Sequence, residues 1–251
     1  MSRPSPADSL AAKAHRELPG PLVCELVGLP GAGKTTAAAR IVQQMRAEGY
    51  VCGERRSIGG GVRSRAISKL RRMGFHVTHS HHLAAALRLG LSVRPLNIAS
   101  VSRAFRVSSW AYALSRMRNR GFERVILDQG IVQELWSVTL TGSRWSPEAL
   151  DEMLRGLFAA TAVSPALVYL DVGIDEAAAR LRQRPIGTSR FDRMGLAQVR
   201  ELLSSREARL KQLFERAVAL TGAPWCRIDG ERAVEDVCAD VTAFVNSIQD
   251  A

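Results

Sequence analysis

The amino-acid sequence predicts an α/β fold in which helices cover both faces of a five-stranded parallel sheet. Short apolar segments alternate along the chain with longer segments of helical spacing, an order typical of parallel sheets. A glycine-rich turn joins the first predicted strand to the first predicted helix. With 251 residues and 46% hydrophobic content, the chain can bury one such core but hardly two. We therefore expect one three-layer domain over residues 21–251, after a flexible tail of residues 1–20.

Five segments have the composition expected of strands. They are Leu22–Gly28, Tyr50–Gly53, Arg124–Asp128, Ala166–Val172 and Trp225–Asp229. The first is rich in branched apolar residues, as a parallel strand covered on both faces requires. The third ends in a carboxylate, which places a charged group at the carboxyl edge of the predicted sheet.

Three helices have clear sequence signals. After Met194, apolar residues recur at intervals of three and four, while Arg and Glu occupy the opposite face. Ser146-Pro147-Glu148 combines a capping serine, a proline in the first turn and a glutamate near the positive end of a helix. The last helix has an apolar side from Val234 to Ile248, which should cover the sheet.

The turn after the first strand, Gly28–Thr35, matches the pattern Gly-x-x-x-x-Gly-Lys-Thr. In such a loop the glycines turn backbone N–H groups toward a phosphate, and the following helix adds its positive end. Lys34 supplies a charge near the β- and γ-phosphates, and the Thr35 hydroxyl can bind Mg²⁺. A glycine turn before a lysine can also be a helix cap, but the complete strand-loop-helix pattern favours a site for ATP and Mg²⁺. The predicted contact residues are Gly28, Gly31, Ala32, Gly33, Lys34, Thr35 and Thr36.

Two carboxylates follow or end predicted strands and are candidates for a catalytic base. Asp128 ends the third strand at the edge where ligands gather in parallel sheets, so it could hold Mg²⁺ or accept a hydroxyl proton. The alternative is that Asp128 caps a helix or pairs with a basic neighbour. Glu54 follows the second strand at the same edge and is a rival base. The sequence leaves the choice between them open.

An arginine-rich segment follows the fourth strand and is predicted to form a lid over about residues 184–195. Arg180 and Arg184 are four residues apart and share a helix face, and a proline and a glycine then end the helix. Closure of such a loop would bring guanidiniums, including that of Arg190, onto the transferring phosphoryl group and exclude water. The alternative is an exposed basic loop paired with nearby carboxylates.

The positive charge of the chain is concentrated in one stretch. Residues Arg55–Phe122 contain 14 Lys and Arg and no Asp or Glu, so they carry more than the whole net charge of +11. Such a surface attracts anions, either an anionic small-molecule substrate or a nucleic acid. Aromatic residues for base stacking are sparse there, which favours the small molecule. Because the chain has 31 Arg and 4 Lys, a bias of the source genome toward arginine is the alternative.

The cysteine and hydropathy patterns concern the cellular compartment. The cysteines Cys24, Cys52, Cys226 and Cys238 are dispersed without a Cys-x-x-Cys pair and are expected to be buried, reduced thiols. Near the N-terminus, no apolar block is long enough for a signal sequence or a membrane span. We therefore expect a cytoplasmic protein.

Two smaller features have open interpretations. The histidines of the segment His76–His82 have spacings found in zinc sites, but no Cys, Asp or Glu lies nearby to complete four ligands. Gln129, Gln133 and Trp136 begin a helix at the sheet edge. They could line an acceptor pocket, or they could belong to a plain amphipathic helix.

With these motifs the chain resembles the P-loop nucleoside and nucleotide kinases, most closely the thymidylate kinases, over about half its length. Besides the phosphate loop and the long helix after Met194, the resemblance rests on Val125–Asp128, Tyr169–Val172, Arg180–Asp192, Arg227–Gly230 and Glu235–Val237. It implies a five-stranded parallel sheet with a lid. It also implies that Arg180 lies near the adenine and that Arg184 and Arg190 contact phosphates.

The chain departs from thymidylate kinases on the acceptor side. Gln129 stands where family members commonly have an arginine, and Glu54 is followed by Arg-Arg-Ser-Ile instead of the Pro-Gly of the family. Residues 55–120 contain no convincing thymidine-binding segment. The resemblance therefore implies phosphoryl transfer from ATP to an acceptor other than dTMP.

Three functions follow as hypotheses. The first is an ATP- and Mg²⁺-dependent kinase that acts on a small molecule, which is a nucleotide, a nucleoside or another metabolite with a hydroxyl group. The second is a nucleic-acid-associated ATPase that uses residues 55–122, and the third is a pseudokinase that signals by closing around ATP. Trp110 and Tyr112 could pack against the sheet or between subunits, so a homodimer is left open.

Overall fold

The computed structural model describes residues 20–54, 80–96, 98–140, 142, 144–161, 163–184 and 194–249. Within these residues it contains five strands and eight helices, numbered here in chain order. They are β1 (Leu22–Val27), α1 (Lys34–Ala47), β2 (Cys52–Glu54), α2 (Ser80–Ser92), α3 (Ile98–Arg118), β3 (Arg124–Leu127), α4 (Ile131–Thr139), α5 (Pro147–Thr161), β4 (Ser164–Asp171), α6 (Ile174–Arg182), α7 (Leu196–Thr221), β5 (Trp225–Asp229) and α8 (Val234–Gln249). The predictions of a tail, a histidine cluster and a lid fall largely on residues 1–19, 76–79 and 185–193, outside the described residues.

The five strands form one parallel sheet in the order β2-β3-β1-β4-β5, which confirms the predicted fold class. The strand bounds differ slightly from the prediction, because β4 begins at Ser164 and β2 is Cys52–Glu54 instead of Tyr50–Gly53. Tyr50 donates its backbone N–H to the carbonyl oxygen of Met45 at 3.0 Å, so it belongs to the turn after α1. The central strand is β1, with β3 and β4 on either side.

Helices cover the sheet in two groups. α1 and α8 pack against each other, and α3, α4, α5 and α7 form the second group. The helices expected at Pro147, after Met194 and at Val234 are α5, α7 and α8. Ser146 Oγ accepts the backbone N–H of Ala149 at 3.1 Å, as the predicted cap of α5 should. Apolar side chains of both groups and of the strands form one continuous core.

The topology brings two chain segments together at the carboxyl edge of the sheet. β1 pairs with β3 in a register that aligns Glu25 with Leu127. The glycine-rich loop follows β1, and Asp128 follows β3. Because parallel strands end at the same edge, the loop and Asp128 meet there.

All four cysteines are free thiols. Cys24, Cys52 and Cys238 are buried as expected, and burial raises the pKa of the Cys52 thiol to about 11. The expected burial was wrong for Cys226, which is half-buried because edge strand β5 leaves most of its residues partly or fully exposed. None of the described helices combines the length and apolar character needed to cross a membrane.

Candidate active site

The glycine-rich loop lies directly against neighbouring backbone. Gly31 and Gly33 have φ angles of 95° and 82°, in the left-handed region that favours glycine. A Cβ atom on Gly31 would lie 2.2 Å from the carbonyl oxygen of Ala177 in α6. A Cβ atom on Gly28 would lie 2.7 Å from the carbonyl oxygen of Leu170 in β4. The loop therefore needs glycine at these positions both for its turn and for its close packing.

Lys34 is the first residue of α1, whose N-terminus has no side-chain cap, so N–H groups of the first turn are left for an anion. The Lys34 ammonium donates to the carbonyl oxygens of Gly28 at 2.7 Å and Leu29 at 2.9 Å. Loss of hydration at this half-buried position, together with the Arg184 guanidinium, lowers the pKa of Lys34 to about 7. Phosphate oxygens would supply the negative charge that the two carbonyl groups lack.

Thr35 and Asp128 join the two segments at the sheet edge. Thr35 Oγ1 donates a hydrogen bond to Asp128 Oδ2 at 2.8 Å. A hydroxyl and a carboxylate oxygen are ligands that Mg²⁺ prefers, so this pair fits the predicted metal position. Thr36, the next residue of α1, is exposed.

Glu25 is a residue near the site that the sequence analysis missed. The residue is 3% exposed, and its carboxylate accepts the backbone N–H groups of Gly130 at 3.1 Å, Val132 at 3.0 Å and Gln133 at 2.8 Å. These groups belong to the start of α4, so Glu25, which lies on β1, caps that helix from a distant part of the chain. Burial raises the pKa of Glu25 to about 7, although the three hydrogen bonds favour the carboxylate. The available signal was a charged residue within an otherwise apolar strand.

Gln133 links α4 to the glycine-rich loop. Its Oε1 accepts the backbone N–H of Gly28 at 3.4 Å, and the residue is buried. Glu25 and Gln133 together hold the start of α4 against β1 and the loop. Asp128 and Gln129 lie in the short turn between β3 and α4, so the same contacts fix where this turn lies.

A cleft of about 330 Å³ opens between the glycine-rich loop and helices α3 and α4. The described residues that line it are Pro30, Gly31, Gly33, Lys34, Thr35, Arg103, Arg106, Asp128, Gln129, Gln133, Glu134, Trp136, Ser137 and Arg184. Three of them, Gln129, Gln133 and Trp136, are the residues considered for an acceptor pocket. Arg103 and Arg106 come from the basic stretch, in which no sequence signal distinguished them from the other arginines.

Arg180 lies beside the loop. Its Nε donates to Glu176 Oε1 at 2.6 Å, and its Nη1 donates to the carbonyl oxygen of Gly230 at 2.7 Å. The same Nη1 is 3.9 Å from the place of a Cβ atom on Gly33. Arg180 thus connects α6, the turn after β5 and the glycine-rich loop. It lies next to the cleft but outside its lining.

The two candidate bases differ in position. Asp128 lines the cleft and follows β3, which pairs with the central strand β1. Glu54 ends β2 at the edge of the sheet, one strand farther from the loop, and does not line the cleft. Arg184 lines the cleft, but the expectation that it shares a helix face with Arg180 was wrong, because α6 ends at Arg182. Arg190 lies outside the described residues.

No family model and no curated protein matches the chain. Solved structures with a similar fold include a deoxyadenosine kinase from M. mycoides with bound dATP, at 14% identity and a TM-score of 0.47, covering 89% of this chain and 99% of that one. A shikimate kinase from Bacteroides thetaiotaomicron has 12% identity and a TM-score of 0.48, covering 90% and 98%. The YorR protein of Bacillus subtilis, in complex with phosphorylated GDP, has 13% identity and a TM-score of 0.45, covering 91% and 98%. Likeness at this level does not assign an activity to this chain.

Proposed function

We propose that the protein is a kinase that transfers the γ-phosphoryl group of ATP to a hydroxyl group of a small molecule, with Mg²⁺ as cofactor. The observation that carries the proposal is the hydrogen bond of 2.8 Å between Thr35 Oγ1 and Asp128 Oδ2. It joins a metal-binding hydroxyl to a carboxylate at the end of the cleft where Lys34 also lies. The cleft has a volume of about 330 Å³ and also reaches α3 and α4, where the acceptor is proposed to bind.

The donor half of the reaction follows from the loop. The groups proposed to hold the triphosphate are the backbone N–H groups of Gly31, Gly33 and Thr36 and the ammonium of Lys34. The N–H groups of Gly28 and Ala32, which were expected to take part, donate instead to Gln133 Oε1 and to the carbonyl oxygen of Leu29. Mg²⁺ held by Thr35 and Asp128 would neutralise charge on the β- and γ-phosphates. Arg180, beside the loop and the turn after β5, is proposed to lie near the adenine.

The transfer step requires a base beside the acceptor. In the proposed reaction a bond forms between the acceptor oxygen and the γ-phosphorus, while the bond from that phosphorus to the bridging oxygen of ADP breaks. Asp128 accepts the hydroxyl proton, and ADP leaves with the bonding electrons. Arg184 and, from the proposed lid, Arg190 would stabilise the charge on the transferring group. Glu54 is the rival base.

The decisive experiment replaces Lys34. We expect Lys34→Ala to lower ATP-dependent product formation at least about 10²–10³-fold, because a preorganised cation is lost from the transferring phosphoryl group. Product is measured by ³¹P NMR across a panel of hydroxyl compounds, and the unfolding temperature reports whether the variant is folded.

Lys211→Ala is the matched control, since Lys211 lies on α7, pairs with Glu207 at 2.7 Å and does not line the cleft. It should retain full activity. Unchanged turnover in Lys34→Ala, or a wild-type protein that does not bind MgATP, would refute the kinase proposal.

A further inference from the structure

The end of the cleft away from the phosphate loop carries two arginines that the proposed donor site does not use. Arg103 and Arg106 are three residues apart on α3 and therefore share a helix face, and both line the cleft. Arg103 Nη1 donates to the carbonyl oxygen of Ser137 in α4 at 2.8 Å. This bond holds the guanidinium against α4, and a guanidinium has further N–H groups with which to bind a ligand.

Arg106 completes the pair. It is exposed, and no described residue forms a hydrogen bond or an ion pair with its side chain. An exposed guanidinium beside a second, fixed guanidinium is suited to a planar anion such as a carboxylate or to a phosphate group, which both accept paired N–H donors.

The described cleft residues carry more positive charge than the proposed donor site requires, which favours a second anion. The cationic side chains in the lining are those of Lys34, Arg103, Arg106 and Arg184, and the carboxylates are those of Asp128 and Glu134. In the proposed donor site, Lys34 and Arg184 face the triphosphate and Asp128 faces Mg²⁺. Two guanidiniums and one carboxylate then surround the acceptor, so a neutral acceptor would leave an excess of positive charge there.

The cleft offers little to a nucleobase. Trp136 is the aromatic residue among its described lining, and it is 3% exposed. Its indole Nε1 donates to the carbonyl oxygen of Arg206 at 3.3 Å, which holds the ring in the protein interior. Stacking needs an open aromatic face, and this ring does not present one. Polar groups of Gln129, Glu134 and Ser137 instead line the cleft, as suits a ligand with hydroxyl groups.

We infer that the acceptor is an anionic hydroxyl compound without a nucleobase, a hydroxy acid or a polyol phosphate, and that Arg103 and Arg106 bind its carboxylate or phosphate. This inference rests on the proposed kinase function and names the substrate class of the same site. With its anionic group on α3, the acceptor extends along α4 toward the phosphate loop and presents a hydroxyl to Asp128. Arg103 and Arg106 are therefore specificity-determining residues.

The test uses matched compounds on the full-length protein. The two series are glycerol, glycerate and glycerol 3-phosphate, and glucose, gluconate and glucose 6-phosphate, with adenosine, AMP, thymidine and dTMP as the competing class. Binding to the complex with saturating MgADP is measured by calorimetry, and transfer from MgATP is measured by ³¹P NMR. The carboxylate and phosphate members within each series distinguish the two forms of the anion.

We expect anionic members without a base to bind and to be phosphorylated, and their neutral counterparts to fail. Arg106→Gln should weaken binding of the anionic member about 10- to 100-fold, the worth of a charge-assisted hydrogen bond, with the MgATP affinity unchanged. Arg103→Gln should act similarly, but it also removes the bond to Ser137, so Arg106→Gln is the cleaner variant. Arg116→Gln, on the same helix but outside the cleft lining, is the matched control and should behave as wild type.

Three results would overturn the inference while leaving the kinase proposal in place, provided that turnover or MgATP binding still depends on Lys34. These are equal binding of neutral and anionic members, preference for nucleosides or nucleotides, and failure of every anionic compound to bind the MgADP complex. Loss of Lys34-dependent MgATP binding would instead remove the kinase proposal itself.

Discussion

The burial of the Lys34 ammonium beside the glycine-rich loop decides how nucleotide binding should depend on pH. Burial and the nearby Arg184 lower the pKa of Lys34 to about 7 from its ordinary value of 10.5. Above pH 7 the free protein therefore holds Lys34 mostly as the neutral amine. Phosphate oxygens beside this nitrogen favour the charged form and raise its pKa again.

We predict that binding of MgATP takes up a proton above about pH 7, and that affinity falls as pH rises from there until Lys34 also loses its proton in the complex. Below pH 7 Lys34 is already charged, so the uptake from this group should vanish. Calorimetry in buffers of different ionisation enthalpy measures the number of protons. Lys34→Met should bind weakly and without the uptake; proton release by wild type above pH 7 would contradict the prediction.

The choice of base between Asp128 and Glu54 can be tested by a pair of matched substitutions. Asp128→Asn keeps the shape of the side chain but removes the base and the charge facing Mg²⁺, so we expect kcat to fall about 10²–10⁴-fold. Glu54→Gln is the matched change at the rival position and should leave kcat within about twofold of wild type, because Glu54 does not line the cleft. Steady-state kinetics with an acceptor that the wild-type protein phosphorylates decides between the two bases. The reverse pattern would assign the base to Glu54.

The glycine-rich loop is an element whose form depends on contacts with other elements. Gly31 has a φ of 95°, and a Cβ atom there would lie 2.2 Å from the carbonyl oxygen of Ala177 in α6. Gly49, at the end of α1, has a φ of 93° but nothing within 4 Å of its Cβ position. Comparing substitutions at Gly31 and Gly49 therefore separates the cost of a left-handed backbone from the cost of crowding against another element.

We predict that Gly49→Ala costs about 1–2 kcal/mol of unfolding free energy from the left-handed backbone alone. Gly31→Ala should cost clearly more and should also weaken MgATP binding, because the loop must move away from α6. Denaturant unfolding and calorimetry measure the two effects. Equal destabilisation by both substitutions would mean that the loop does not depend on its contact with α6.

Helix α4 shows how a distant residue sets the position of an element. Its start is capped by Glu25 of β1, and Gln133 of α4 reaches back to the loop through Gly28. Local sequence gave no capping serine, threonine or aspartate directly before Ile131, where Gly130 precedes the helix without a side-chain cap. The cap came from another strand, which explains why sequence reasoning did not assign a role to Glu25.

For the whole molecule, nucleotide binding at the sheet edge should stabilise the domain against unfolding, since the site is assembled from β1, α1 and β3. At a concentration 100 times Kd, MgATP should contribute about 2.7 kcal/mol. For a chain of this length each kcal/mol raises Tm by roughly 2–4 °C, so we predict a shift of roughly 5–10 °C. Differential scanning fluorimetry measures it. Lys34→Ala should show little shift, and an equal shift in that variant would place the nucleotide elsewhere.

The basic residues of the chain are divided between the cleft and the rest of the basic stretch. Part of the basic stretch, Arg103 and Arg106, lines the cleft, which supports a small anionic ligand for those residues. The alternative of a nucleic-acid surface concerns the remaining arginines, several of which fall on residues 55–79, outside the described residues. Steeply salt-dependent binding of DNA or RNA, with stimulated ATP hydrolysis, would favour that alternative.

The sequence by itself determined the strands, the glycine-rich loop and most of the helices, because periodicity, glycine spacing and helix caps act between residues close together in the chain. Helices α2 and α3 had no predicted counterpart. The sequence also nominated Thr35 and Asp128 separately. Only the tertiary structure decided that they meet, since their hydrogen bond needs β3 beside β1. The same holds for Glu25 beneath α4 and for Arg103 and Arg106 in the cleft, because a pattern along the chain does not encode which surfaces a crossover connection brings face to face.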